Sequence, residues 1–198
     1  LHYLACITNN TTRLVVYNTS MRHGWKKTSQ KTVYKGRVHI IDYEVKLDDN
    51  TITHYEVDHN EYGAAACLVR LDKRVILTYQ YRFPLNRWIY DLPGGGRMKG
   101  ETFEDAARRE CREEIGINPE NLIYLAEFYP NPGRSDWPVH IFFCDSHSET
   151  DKISNNPSEI VYKKTLQITE LERMVDNNEI IDPSLLIAWH TARKRGLV

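Results

Sequence analysis

The stretch Gly94–Ile117, GGGRMKGETFEDAARRECREEIGI, decides how the chain is read. Seven acids gather in it and just ahead of it: Asp91, Glu101, Glu104, Asp105, Glu110, Glu113 and Glu114. Thr102 and Asp105 have the spacing of a capping box, which predicts a helix start. Phe103, Ala107, Cys111 and Ile115 repeat every four residues and form an apolar stripe. Gly116 suits the left-handed position past a helix end. On a helical wheel of about 100° per residue, Glu110 and Glu114 stack at i and i+4 on the edge of that stripe, with Glu113 beside them. A stripe edge is where a helix meets the sheet it packs on, so these carboxylates line a groove.

Two carboxylates ~5 Å apart repel by ~3 kcal/mol at an effective dielectric of ~20. Arg108, Arg109 and Arg112 offer relief, with Arg109 four residues before Glu113. A salt-bridged, solvated helix is the plain alternative, its pairs worth a few tenths of a kcal/mol each. It explains neither the edge position nor the glycine turn ahead of the helix. A hard divalent cation explains both. Mg²⁺ takes oxygen ligands, commonly one or two carboxylates with waters and substrate phosphates. Backbone carbonyls of the glycine turn complete such a shell.

The rest of the chain bounds this reading. At 198 residues and 41% hydrophobic composition, it suits one globular domain with or without a smaller appendage. A formal net charge of −1 gives no global case for nucleic acid or an anionic membrane. No apolar run reaches the ~20 residues that span a bilayer. The opening LHYLACITNN has no basic region before its apolar patch and is not read as a signal peptide. Cys6, Cys67, Cys111 and Cys144 lack CxxC spacing, and Cys67 and Cys144 sit in apolar runs. They read as buried free thiols in a reducing cytoplasm.

Along the chain, RLVVY is a short strand, and VHIIDYEVKL and TITHYEVD form a hairpin about Asp48-Asp49-Asn50. Alternation gives His39, Ile41, Tyr43, Val45 and Leu47 as its buried face. AAACLVRL and RVILTYQYRF form a second, more apolar and more central hairpin about Asp72-Lys73. WIYDL leads into Pro93 and the glycines. Three strands follow the helix: LIYLAEFY, VHIFFCD and EIVYKKTL. Thr169 and Glu172 cap a helix through Val175. Asp182-Pro183 opens a last helix through about Arg195, whose basic RKRG end answers the helix dipole. The expected division is a strand-rich part, residues 1–60, and a mixed α/β domain, residues 61–198.

The spacing Gly95, Glu101, Arg109, Glu110, Glu113, Glu114, Gly116, Ile117 resembles the Nudix box, G-x5-E-x7-R-E-U-x-E-E-x-G-U. Cys111 stands where the box has a larger apolar residue. The segment LTYQYRFPLNRWIYDLPGGG is similar to the one ahead of the box in ADP-ribose and nucleotide-sugar pyrophosphatases, with Asp91 for a Glu and Gly94 for an Ala. YPNPGRSD resembles that subfamily's proline-containing loop, and NNEIIDPSLLIAW its C-terminal helix region.

The resemblance implies an α+β Nudix fold: a mixed β-sheet sandwiched between helices, with an N-terminal antiparallel β extension. It implies Mg²⁺- or Mn²⁺-dependent hydrolysis of a nucleotide sugar such as ADP-ribose, and a homodimer through the N-terminal strands. Glu110, Glu113 and Glu114 become metal ligands with the Gly94 carbonyl. Arg109 orients Glu113, and Glu101 supports the helix start and the metal shell. The general base falls on a loop after the box, where Glu149, Asp151 and Glu159 are candidates and Glu159 is favoured. Arg82 suits bidentate phosphate recognition. Trp25 or Trp137 offers a ring to stack on a base; packing is the plainer role for either. Trp137 stands where the subfamily often has a Glu, and THYEVDHNEYG lacks an arginine that some members carry. Both departures bear on the base and sugar. A Nudix hydrolase of nucleoside triphosphates or dinucleoside polyphosphates is the enzymatic alternative. A non-cleaving nucleotide sensor is the other, although sensors usually lose box glutamates and all three are present.

Overall fold

The computed structural model describes residues 24–150 and 161–198, together with the backbone of residues 5–8 and 11–14. The chain divides into two compact units, Leu1–Val57 and Asp58–Val198.

In the first unit, β1 (Ala5–Thr8) and β2 (Thr11–Leu14) pair antiparallel. Of the predicted strand RLVVY only Arg13 and Leu14 fall in β2; the remainder lies outside the described residues. A second sheet runs β3 (Lys26–Lys35), β4 (His39–Lys46), β5 (Ile52–Asp58). Its β4–β5 turn places Asn50 at φ 69°, the left-handed conformation that Asn tolerates. The sequence predicted no strand at β3. Lys, Thr, Ser and Gln dominate it, it is exposed along its whole length, and it carries no apolar alternation. The predicted single buried face of β4 needs correction. Ile41 is buried, while His39, Tyr43, Val45 and Leu47 are only half-buried. Asp42, on the opposite face, is as buried as Ile41, because His54 Nδ1 at 3.0 Å and Lys31 Nζ at 3.4 Å compensate its carboxylate.

The second unit is built on a mixed sheet ordered β11 (Ile123–Phe128), β12 (Val139–Cys144), β6 (Ala64–Leu71), β7 (Arg74–Arg82), β14 (Val161–Gln167). Strand β8 (Arg87–Asp91) pairs with β7, and β9 (Gly94–Gly96) with β6. Only β6 and β12 run parallel among the paired strands of this sheet. The β6–β7 hairpin turns at Asp72, φ 54°, as its Asp-Lys signal predicts. Two further short strands, β10 (Ile117–Pro119) and β13 (His147–Glu149), pair with each other.

Both faces of this sheet are apolar, so alternation in β6 sorts residues between two cores. Ala66 and Leu68 join Val139, Ile141 and Phe143 under α2 (Ile168–Asp176) and α3 (Pro183–Lys194), which contribute Leu171, Met174, Leu185, Ala188 and Trp189. Ala65, Cys67 and Val69 join Phe142 and Cys144 under α1 (Phe103–Glu110), with Ala106, Ala107, Cys111 and Ile115. Leu68, Phe143 and Ile115 are fully enclosed, each burial worth roughly 1.5–3 kcal/mol. The expected sandwich of a mixed sheet between helices, with an antiparallel N-terminal sheet, is therefore present.

Two helix boundaries differ from expectation. The N-cap of α2 is Gln167, which makes no side-chain capping bond, and Thr169 lies inside the first turn. The chain passes straight from β14 into α2, and Ile168 N–H donates to Lys73 O at 3.0 Å, so no side-chain cap is used there. The box helix is α-helical only to Glu110; Cys111–Ile115 forms a π-helical turn that closes on Gly116, φ 67°. The Thr102–Asp105 capping box and the Asp182 N-cap before Pro183 form as predicted.

Candidate metal and diphosphate site

The site begins where β8 ends. After Asp91, Leu92 and Pro93 carry the chain into β9, whose three glycines lie against Ala64–Ala66 of β6. Glycine is required here by proximity. A Cβ on Gly94 would stand 2.6 Å from the Ala66 methyl, and one on Gly95 would stand 2.5 Å from Glu110 Oε1. The box helix thus lays the Glu110 carboxylate directly over the glycine backbone. Gly94 N–H donates to Glu114 Oε2 at 2.9 Å. Two carboxylates one helical turn apart are both set against this one glycine strand.

Arg109 ties the arrangement together from a largely buried position. Its Nε donates to Glu101 Oε1 at 2.8 Å and its Nη2 to Glu101 Oε2 at 3.1 Å. Nη2 also donates to Gly96 O at 2.8 Å, and Nη1 to Glu110 Oε1 at 2.6 Å. The bond to Glu113, at 3.3 Å, is the longest of the set. The sequence assigned Arg109 to Glu113; its shorter bonds go to Glu101 and Glu110. Hydrogen bonding to Glu101 first, and to Glu110 next, drives the Arg109 pKa upward. Reciprocally, the Arg109 guanidinium holds the Glu101 carboxyl below the usual range. Glu101 Oε2 also accepts from Met98 N–H at 2.8 Å, which closes the turn between β9 and α1. Arg97 anchors the same turn, donating to Tyr62 O and Glu101 O at 2.6 and 2.7 Å.

The π-helical turn carries Glu113 and Glu114, and the Glu113 side chain is 43% exposed. Among the described residues, no three acidic, histidine or cysteine side chains converge closely enough to enclose an ion unaided. The donors present are oxygen atoms of Glu110, Glu113 and Glu114 on one helix. Such a set fits a hard divalent ion that takes few protein ligands and fills its shell with water and phosphate oxygens. The role read from the sequence for Gly94 was its carbonyl; the contact the structure shows is its N–H, which holds Glu114.

The other candidates are distributed as follows. Glu149 is exposed on β13, paired across from Ile117, and Thr150 N–H donates to Gly116 O at 2.9 Å. The chain after Glu149 therefore starts beside the end of the box helix. Asp151 and Glu159 lie outside the described residues. Trp137 is half-buried against the larger core, its indole N–H donating to Asp58 Oδ2 at 3.2 Å. Trp25, in the first unit, is 46% exposed and tilts against Tyr55 with centroids 5.9 Å apart.

Arg82, at the end of β7, pairs with Asp91 of β8. Asp91 is buried, and its other oxygen accepts Leu92 N–H at 2.8 Å. Arg82 also lines a cavity of about 290 Å³ with Pro84, Leu85, Ile89, Ile181, Asp182 and Pro183. Asp182 caps α3, accepting Leu185 N–H at 2.7 Å. Burial first, and the neighbouring Asp91 next, push its carboxyl up to about 7. The sequence identified Asp182 as a cap and missed this neighbour. Asp91 and Asp182 are remote in the chain, and the sole signal was an Asp where the resembling segment has Glu.

A family model of the NUDIX domain matches residues 60–186. Over 164 residues the chain is 28% identical to an ADP-ribose pyrophosphatase of Bacillus subtilis (strain 168), covering 79% of this chain and 89% of that protein. It is 27% identical over 154 residues to a GDP-mannose pyrophosphatase of Yersinia enterocolitica, covering 72% and 79% respectively. A solved structure of an ADP compounds hydrolase superposes with a TM-score of 0.73 at 16% identity, over 88% of this chain and 97% of the other.

Proposed function

The chain belongs to the NUDIX hydrolase family, and from that premise we propose that it hydrolyses the diphosphate bond of a nucleotide sugar such as ADP-ribose, releasing a nucleoside monophosphate and a sugar phosphate. The observation that carries this reading is the seating of Glu110 and Glu114 on the Gly94–Gly95 backbone with Glu113 beside them. Similarity to ADP-ribose and GDP-mannose pyrophosphatases supports the substrate class.

Glu110, Glu113 and Glu114 would hold Mg²⁺ or Mn²⁺, which supplies charge neutralisation for the diphosphate and a more acidic water. Arg109 keeps Glu110 and Glu113 oriented while Glu101 holds Arg109. Arg82 is assigned to the phosphate oxygens, for which a planar guanidinium suits two-point contact. A water oxygen bonds to one phosphorus as the bond from that phosphorus to the bridging oxygen breaks. The proton released goes to a carboxylate base, assigned to Glu159, with Glu149 and Asp151 as the other candidates. Trp25 and Trp137 are assigned to packing or to a base contact. Residues 1–60 are assigned to a homodimer interface. None of the helices among the described residues is long and apolar enough to cross a membrane. The free, buried thiols of Cys67, Cys111 and Cys144 suit a reducing compartment, and the cytoplasm is the proposed location.

The test is a substrate panel of nucleotide sugars, dinucleotides and nucleoside triphosphates with Mg²⁺, with products identified. Monophosphate release from ADP-ribose-like compounds is expected. Preferential cleavage of triphosphates would overturn the substrate assignment.

A further inference from the structure

The charges around the cavity beside β8 do not balance. Two carboxyls, Asp91 and Asp182, meet one guanidinium, Arg82. Arg82 and Asp182 line the cavity and Asp91 stands behind Arg82; the other lining residues, Pro84, Leu85, Ile89, Ile181 and Pro183, are uncharged. Three elements supply the charged groups: Arg82 from the end of β7, Asp91 from the end of β8, and Asp182 from the N-terminus of α3. Each acid already accepts one backbone N–H, from Leu92 and Leu185 respectively. Like-charged carboxylates in a sheltered site cannot both ionise cheaply, so such a pair retains one proton between them.

We propose that Asp182 is a positioning residue for Arg82, setting by its own protonation whether that guanidinium is available to an anionic substrate. With Asp182 neutral, its O–H donates to Asp91, and the pair carries one negative charge against the single positive charge of Arg82. The guanidinium then makes one ion pair with Asp91 and keeps its other N–H donors for phosphate oxygens. With Asp182 ionised, two carboxylates compete for Arg82 and draw it into the cavity, away from a ligand. The upward displacement of the Asp182 carboxyl to about 7 places this exchange in the neutral range. The proposal rests on the assignment of Arg82 to the substrate diphosphate.

Binding of ADP-ribose, measured by calorimetry between pH 6 and pH 8.5 without divalent ion, isolates the effect. Its phosphates carry no proton in that range, and no bond is cleaved. Affinity of the parent protein is expected to fall about fivefold or more as pH rises, the low end of measured couplings between linked equilibria. In Asp182→Asn the amide still donates to Asp91, and its oxygen still caps Leu185, so the loss should vanish. Asp182→Ala, which has no second carboxylate to draw Arg82 away from its single pair with Asp91, should likewise bind ADP-ribose with no fall in affinity as pH rises. Carbon-13 NMR of the aspartate carboxyls should show Asp182 titrating near neutrality. Identical pH profiles in the parent and Asp182→Asn would overturn the proposal, as would an Asp182 carboxyl fully ionised at pH 6. ADP-ribose turnover with Mg²⁺ reads the substrate assignment separately. Turnover together with identical profiles sinks only the role of Asp182, whereas neither binding nor turnover sinks both.

Discussion

At the scale of single residues, Gly95 and Glu114 separate the geometry of the cradle from its charge. Gly95→Ala places a methyl carbon 2.5 Å from Glu110 Oε1, closer than real Cβ atoms approach an oxygen. The carboxylate end must move, and the expected outcome is weaker Mg²⁺ activation with little loss of thermal stability. Glu114→Gln keeps an oxygen to accept the Gly94 N–H, so the fold should hold, yet the charge of a proposed metal ligand is gone. Losing about 3 kcal/mol of metal-assisted stabilisation lowers turnover by roughly 100-fold. Steady-state rates alongside thermal unfolding of both variants check this pair, and Glu114→Gln turnover equal to the parent's would remove Glu114 from the metal site. The place of Glu114 at the stripe edge was legible from helical spacing, whereas Gly95 was singled out through the resemblance to the box; both belong to one local strand–turn–helix. The true partners of Arg109 were not legible. A spacing of four favours Glu113 on a wheel, whereas the glycine turn folds Glu101 back onto Nε and Nη2.

At the scale of elements, α3 shows a cap doing double service. Asp182 was readable as an N-cap before Pro183, and the structure bears this out. Its second neighbour belongs to β8, and no periodicity carries that information. The linkage has a definite sign. A carboxyl raised to about 7 from 3.8 binds its proton more tightly in the folded chain than in the unfolded one. The folded state therefore loses relative stability as pH rises from about 4 towards about 7, and the loss is complete above that. Asp182→Asn removes this penalty, so its melting temperature relative to the parent's should rise between pH 5 and pH 8. A difference that stays flat with pH would contradict the shared proton. Elsewhere, legibility followed composition. The apolar strands β6, β7 and β12 were found, whereas the lysine-rich β3 and the Gln167 cap carried no pattern to find.

At the scale of the molecule, the sequence showed mixed α/β character and the β4–β5 and β6–β7 hairpin neighbours, but not how the remaining strands are ordered. The central β6 is apolar on both faces, so alternation could not say that one face meets α1 and the other α2 and α3. The proposed assembly has a direct reading. Light scattering at micromolar concentration should give twice the 23.2 kDa of one chain, and a single-chain mass would contradict the dimer.

The parallel pairing of β6 with β12 also shapes how the molecule reaches its native state. Val139 lies against Ala64, and the whole box-helix segment lies in the chain between them. Closing so long a loop costs entropy before any contact repays it, which slows folding. The β6–β7 hairpin is local and can form early, but Cys67, Val69 and Leu68 stay exposed to solvent until β12 arrives. Their apolar faces and the open edge of β6 are then the surfaces most prone to intermolecular association during refolding.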